Sequence, residues 1–311
     1  MIIAKSAMKE VLRNLSEQYR VIAPMANGKI VDFLDVPDPA DIVMDDSIAY
    51  KSPKEFFFPR CEKLLSFCDG EAVVSEPEKA VAIFGVRPCD LEALDTMSKI
   101  FLEGKFKDPF FAVHLEQNLL IGVGCREKNP GCFCEKLSVD QGYSDKCDLF
   151  LRNLEDSYEV GYVSEKGREK LSAFLPELKT FANAESPAPN PAVLSVSEDI
   201  DWKAIAEICQ GCGMCTFICP TCHCFDFQDV EEKDTASRYR IWDSCMYPKF
   251  TLHASGHNPR ETTAERFRQR MMHKYVYVPQ NVGKIACTGC GRCVRSCPAG
   301  MDIRRIMEEM T

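Results

Sequence analysis

The sequence predicts an α+β protein in two parts: an N-terminal α/β domain over residues 1–181 and a helical domain over 199–311, joined by a linker at 182–198. Three observations predict it. Two apolar, β-rich runs at 80–85 and 118–123 enclose a helical segment, in the order of a strand–helix–strand crossover. Residues 182–198 form a Pro/Ala/Ser-rich stretch of the kind that separates domains. Beyond it the pattern is helical and is broken by two dense cysteine runs.

The elements follow in order. Residues 5–18 suit an amphipathic helix, and Tyr19 to Pro24 a short strand. Ala80 to Gly85 and Asn118 to Val123 read as buried parallel strands, with Asp90 to Leu102 as the helix between them and Asp90 as its N-cap. Each strand runs into a cysteine-bearing loop, ending at Cys89 and at Cys125. Ligand sites in parallel sheets gather outside the carboxyl ends of strands, which would bring these two thiols together. In the C-terminal part, Asp201 to Ile208, Glu261 to Tyr275 and Asp302 to Met310 read as helices.

Composition narrows the function classes. A net charge of −9 argues against a nucleic-acid partner, since a phosphate backbone wants a basic face. The first residues lack the basic and apolar pattern of a secretory signal, and no apolar run is long enough for a membrane span. The 18 cysteines of a chain read as cytoplasmic point to metal binding rather than disulfides.

The two runs are Cys209-x₂-Cys212-x₂-Cys215-x₃-Cys219-Pro220 and Cys287-x₂-Cys290-x₂-Cys293-x₃-Cys297-Pro298. This spacing curls three thiolates around one cubane [4Fe–4S] cluster and sends the fourth to its neighbour. One cluster is then expected on Cys209, Cys212, Cys215 and Cys297, and a second on Cys287, Cys290, Cys293 and Cys219. The 67 residues between Cys219 and Cys287 exceed what a compact bacterial ferredoxin needs and favour an all-α, helical-ferredoxin architecture. Zinc would use four thiolates per ion and leave other cysteines of each run without work.

The remaining cysteines carry weaker signals. Cys89, Cys125, Cys132 and Cys134 make either a four-thiolate set for a third cluster or two core and two loop thiols. Cys222, Cys224 and Cys245 are either buried structural thiols or three ligands of another cluster. Cys61, Cys68 and Cys147 have no pattern. Cys215-x₃-Cys219-x₂-Cys222 has radical-SAM spacing, the basis of an alternative catalytic reading, but it overlaps a complete ferredoxin run and no β/α barrel pattern surrounds it. Gly122-Val123-Gly124 is a weak dinucleotide or flavin signal without its third glycine. The basic segment Arg266 to Lys274 is either a solvated face or a set of cations that raises cluster potentials or docks an acidic partner.

Several segments together resemble a family of electron-transfer subunits, the sulfhydrogenase beta subunits and their counterparts in anaerobic sulfite reductases. They are Gly85-Val86-Arg87-Pro88-Cys89-Asp90, Cys132-Phe133-Cys134, Cys219-Pro220-Thr221-Cys222-x-Cys224-Phe225-Asp226, Trp242-Asp243-Ser244-Cys245, the Arg268 to Lys274 helix and the second cysteine run. The resemblance implies a cytoplasmic hetero-oligomeric complex of anaerobes. In it such a subunit relays electrons between a flavin/NAD(P)-binding subunit on one side and a catalytic oxidoreductase subunit on the other. It also implies more than a packing role for Cys222, Cys224 and Cys245. Relatives usually follow the Cys-Phe-Cys with a Met-Gly-Thr-Gly-Pro segment. This chain departs from them with Glu135-Lys136-Leu137-Ser138-Val139-Asp140.

Overall fold

In a computed structural model of the chain, the described residues are 1–68, 70–75, 80–181, 196, 199–233 and 235–310. The expected linker at 182–198 lies outside them, apart from Val196. Among the described residues, eleven strands build two sheets: β1 Ile2–Ala4, β2 Arg20–Asn27, β3 Ile30–Asp35, β4 Cys61–Cys68, β5 Glu71–Val74, β6 Val81–Val86, β7 Leu119–Val123, β8 Leu149–Leu154, β9 Ser157–Tyr162, β10 Phe225–Glu232 and β11 Thr235–Trp242.

The larger sheet has the order β1-β9-β8-β7-β6-β2-β3. Its centre is parallel, with β2, β6, β7 and β8 aligned, and β3, β9 and β1 added antiparallel at the edges. Alternation along the central strands feeds two cores. Ala82 and Phe84 of β6 face the helix Lys5–Leu15, which buries Met8, Leu12 and Leu15 at spacings of four and three. Full burial stabilises by about 1.5–3 kcal/mol for each such side chain. Val81, Ile83 and Val86 face the opposite way, onto Leu91, Leu94 and Met97 of the helix Pro88–Leu102. Strands covered on both faces explain why β6 and β7 read as unbroken apolar runs.

Two expectations need correcting. The helix after β6 starts at Pro88 with Arg87 as N-cap, not at Asp90. Proline presets the first helical φ and needs no amide partner there, so it opens the helix two residues early. That frees Asp90 for another task. Its two carboxylate oxygens accept from Arg292 at 2.6 and 2.8 Å, and both residues are fully buried.

The second correction concerns the C-terminal part, which is not all-α. Between its helices, β10 and β11 form a hairpin that extends a second sheet of order β10-β11-β4-β5. Two of its strands come from the N-terminal side of the expected linker. Ion pairs hold them: Arg240 on β11 reaches Glu62 on β4 and Asp108. Strand β10 is exposed and acidic and β11 is half-buried with polar residues along it, so neither shows the sustained apolar alternation that marks a strand in sequence. Opposed charges in register, Asp229 against Arg238, do the pairing instead.

The other C-terminal helices form as expected with shifted ends: Trp202–Ala206, Thr263–Met272 and Ile303–Met310. Thr262 and Glu265 close a capping box on the second of these. That helix runs on through a π turn at His273–Tyr277 into Val278–Val282. Among the described residues no helix is long and apolar enough to cross a membrane.

Arg292 sits in the second cysteine run while Asp90 sits on the sheet-covering helix, so their ion pair ties the two parts together. Asp90→Ala strands a buried guanidinium and is expected to destabilise the fold by about 3–5 kcal/mol, read as a lowered urea midpoint under anoxic conditions.

Candidate metal centres

Three thiol-lined pockets lie in a row. The first is lined by Cys209, Cys212 and Cys215 of the first run and by Cys297 of the second. The second is lined by Cys287, Cys290 and Cys293 together with Cys219 from the first run. Each run thus sends its fourth cysteine to the other pocket. The third is lined by Cys89, Cys125, Cys132 and Cys134. Cys293 lines both the first and second pockets, and Cys290 both the second and third.

Local structure explains each loop. Cys209 follows the helix Trp202–Ala206, with its amide donating to Ala206 O at 2.9 Å. Gly211, Gly213, Gly289 and Gly291 all take positive φ, which lets the runs curl so that sulfurs point inward. At Gly289 and Gly291 space is short as well. A Cβ on Gly289 would meet Cys134 N at 2.5 Å, and one on Gly291 would meet Gly131 O at 2.4 Å. The second run therefore lies backbone to backbone on the 131–134 loop. Phe133 N donates to Gly289 O at 2.8 Å, and Cys132 Sγ to Cys290 O at 3.4 Å. On the other side of the third pocket, β6 and β7 are parallel neighbours, so Cys89, in the first turn of the helix after β6, and Cys125, in the loop after β7, lie off the same edge of the sheet.

Buried thiols stay protonated without a metal. Burial pushes Cys125 up to about 11 and Cys290 up to about 12, and raises Cys89, Cys134, Cys209 and Cys293 in the same direction. Metal loading must therefore release protons. Cys219 is the exception. A bond from Cys222, with Lys274 and Arg270 beside it, holds its thiol well below the usual value against the effect of burial.

The basic segment turns inward rather than to solvent. Arg270 Nε donates to Cys215 Sγ at 3.2 Å and Nη2 to Cys215 O at 3.0 Å. Lys274 Nζ donates to Cys219 Sγ at 3.2 Å and to Thr221 Oγ1 at 2.9 Å. Arg266 is also buried, on backbone carbonyls, whereas Arg268 is exposed. At the third pocket the matching cation lies at the surface: Arg295 Nη1 is 3.6 Å from Cys132 Sγ.

Cys222, Cys224 and Cys245 gather beside the second pocket. Cys222 bonds Cys219, and Cys224 bonds Cys245, which brings the Cys224 thiol down to about 7. Lys54, buried in the Pro53–Phe56 turn, donates to Cys222 O at 2.8 Å and lies 4.1 Å from the Trp242 ring. Nothing in the sequence around Lys54 marks it; only the fold brings it here. Cys147 is a core thiol, while Cys61 and Cys68 are exposed at the ends of β4. The radical-SAM triad does not assemble, because Cys215 and Cys219 line different pockets.

The donor sets fit iron–sulfur clusters better than single ions. Zinc draws its sulfurs to about 2.3 Å from one point; among the described residues no three His, Cys, Asp or Glu side chains converge so closely. Four thiols standing around a cavity suit a cubane. The buried Arg270 Nη1, which has no hydrogen-bond partner, fits an anionic centre in the first pocket, whose wall it joins.

Comparison with known proteins agrees. The 4Fe-4S dicluster domain family matches residues 208–301. Over 322 aligned positions, covering 97% of this chain and 95% of its relative, the chain is 29% identical to sulfhydrogenase 2 subunit beta of Pyrococcus furiosus. The chain is similar to a sulfhydrogenase beta subunit along nearly its whole length and carries a 4Fe-4S dicluster domain. No solved structure matches it. The two runs fall within the matched dicluster domain, which is set on a mixed α/β fold.

Two histidines beside these sulfurs give the fold a pH dependence. The rings of His223 and His273 lie 5.4 Å apart. Burial, then His223 and Lys274, push His273 from 6.5 down to about 4; burial lowers His223 likewise. Below pH 6.5 the unfolded chain takes up a proton on His273 that the folded chain refuses until about pH 4. This contribution to stability is whole above pH 6.5 and is lost as pH falls from 6.5 to 4. Urea midpoints at about pH 7.5 and 5.5 should differ less in His273→Gln than in the parent.

Proposed function

We propose that the chain is a non-catalytic electron-relay subunit carrying three [4Fe–4S] clusters, one in each thiol-lined pocket. A cubane cluster takes up and releases one electron at a time. Cys209, Cys212, Cys215 and Cys297 would hold one; Cys287, Cys290, Cys293 and Cys219 the next; and Cys89, Cys125, Cys132 and Cys134 the third. The observation that carries the reading is the row of pockets sharing Cys293 and Cys290 as common walls. Redox centres spaced by single residues suit a wire.

The protein supplies what a wire needs besides iron. Gly289 and Gly291 let the second run and the 131–134 loop meet without side chains between them. Phe267, Met246, Ile303 and Ile306 wall the first pocket with apolar groups. Cys222, Cys224 and Cys245 bring three thiols and no fourth of their own, so no cluster is assigned to them.

Electrons then enter and leave through other proteins. The relative named above is the beta subunit of a sulfhydrogenase, which supports a place in a hetero-oligomeric oxidoreductase complex. We assign the partners as a flavin/NAD(P)-binding subunit together with a catalytic subunit, in the cytoplasm of an anaerobe.

Anoxically purified protein should hold about twelve iron and twelve sulfide per chain, three cubanes of four each. About eight, with Cys134→Ser unchanged, would remove the third cluster. Sixteen, with four lost in Cys245→Ser, would extend the set to the remaining thiols. Cys297→Ser separates the ligand assignments: it should abolish the cluster of the first run and spare that of the second, read by electron paramagnetic resonance after dithionite.

A further inference from the structure

We propose that Arg270 and Lys274 are positioning residues that set cluster potentials one by one, Arg270 for the cluster of the first pocket and Lys274 for that of the second. This rests on reading those pockets as [4Fe–4S] sites.

The two residues stand four apart on one continuous helical run, Arg270 in its regular part and Lys274 in the π turn. Each touches the sulfur of a different pocket. Arg270 bonds Cys215, and Lys274 bonds Cys219, the ligand that crosses over from the first run. Both side chains are 3% exposed. Solvent therefore screens neither charge.

Their partners set them apart from other buried cations. Arg292 is matched by Asp90, and Arg240 by Glu62 and Asp108. Among the described residues, no carboxylate forms an ion pair with Arg270 or Lys274. Lys274 turns its ammonium to Cys219 Sγ, Thr221 Oγ1 and Ala286 O, and Arg270 turns its guanidinium to Cys215. An unmatched buried cation is costly unless an anion lies against it. The anions within reach are cluster thiolates.

The consequence is redox. Reduction adds one negative charge to a cluster. A charged N–H···S bond stabilises that more negative state over the oxidised one, which raises the potential. Because each cation bonds one sulfur of one pocket, its effect falls most strongly on that cluster. A merely structural role, through the bonds to Cys215 O and Ala286 O, would hold the loops in place and leave potentials alone.

The test is a redox titration of anoxically purified protein followed by electron paramagnetic resonance, after iron and sulfide content has been measured. Lys274→Met should lower one centre's midpoint and Arg270→Gln the other's. At the parent midpoint the reduced-to-oxidised ratio should fall at least tenfold, a shift of about 59 mV for one electron. Lys274→Arg, which keeps the charge, and Arg268→Gln, on the exposed face of the same helix, should shift neither. Full iron with unshifted midpoints in both neutral variants overturns the proposal, as does an equal shift of both centres by either one. Should Lys274→Met lose iron, Lys274→Gln takes its place, and an unshifted midpoint there overturns it equally. Parent protein without iron would instead sink the cluster reading on which the proposal rests.

Discussion

The buried ion pair between Asp90 and Arg292 is the constraint on which the arrangement turns. Asp90 belongs to the helix that covers the parallel sheet, and Arg292 to the loop that presents Cys290 and Cys293. The pair is two-pronged, and Arg292 also donates to Ala49 O at 2.9 Å, so the loop has little freedom to slide. Cys89 precedes Asp90 in sequence. One interaction therefore fixes both the second pocket and one wall of the third. It adds to the backbone contact of the 131–134 loop with Gly289 in holding the two cysteine systems together.

Around that anchor the charges divide into two kinds. Where buried cations hold the fold, carboxylates face them, as with Arg240 between Glu62 and Asp108. Where buried cations face the pockets, sulfur and carbonyl oxygen take the carboxylate's place. Adding a carboxylate beside Lys274 or Arg270 would cancel the charge locally. Leaving it out keeps the charge for whatever anion the thiols hold. The net charge of −9 hides this, because the positive charge is interior.

Much of this was legible in the residues, and the rest was not, for physical reasons. The paired runs are local, and their spacing alone predicts a cluster type and an exchange of fourth ligands. The structure puts Cys297 among the first run's thiols and Cys219 among the second's. Strands β6 and β7 were legible because burial on both faces writes an unbroken apolar run. The β10–β11 hairpin was not, since β10 is solvated and the strands carry charges in register, which hydrophobic periodicity does not record. Asp90 was misread as a cap because its partner lies 202 positions away. Lys54 carries no local pattern, and its place near Cys222 exists only once both halves have folded.

The mixed sheet has a consequence for how the chain is made. Strand β4 bonds to β11, and Glu62 and Arg240 across that ladder are 178 positions apart. During synthesis β4 emerges long before its neighbour, with one edge unsatisfied, the condition that invites pairing with the wrong chain. When β11 has left the ribosome, Cys245 and the second cysteine run are still to be made. Closure of the sheet and delivery of the last thiols thus fall close together.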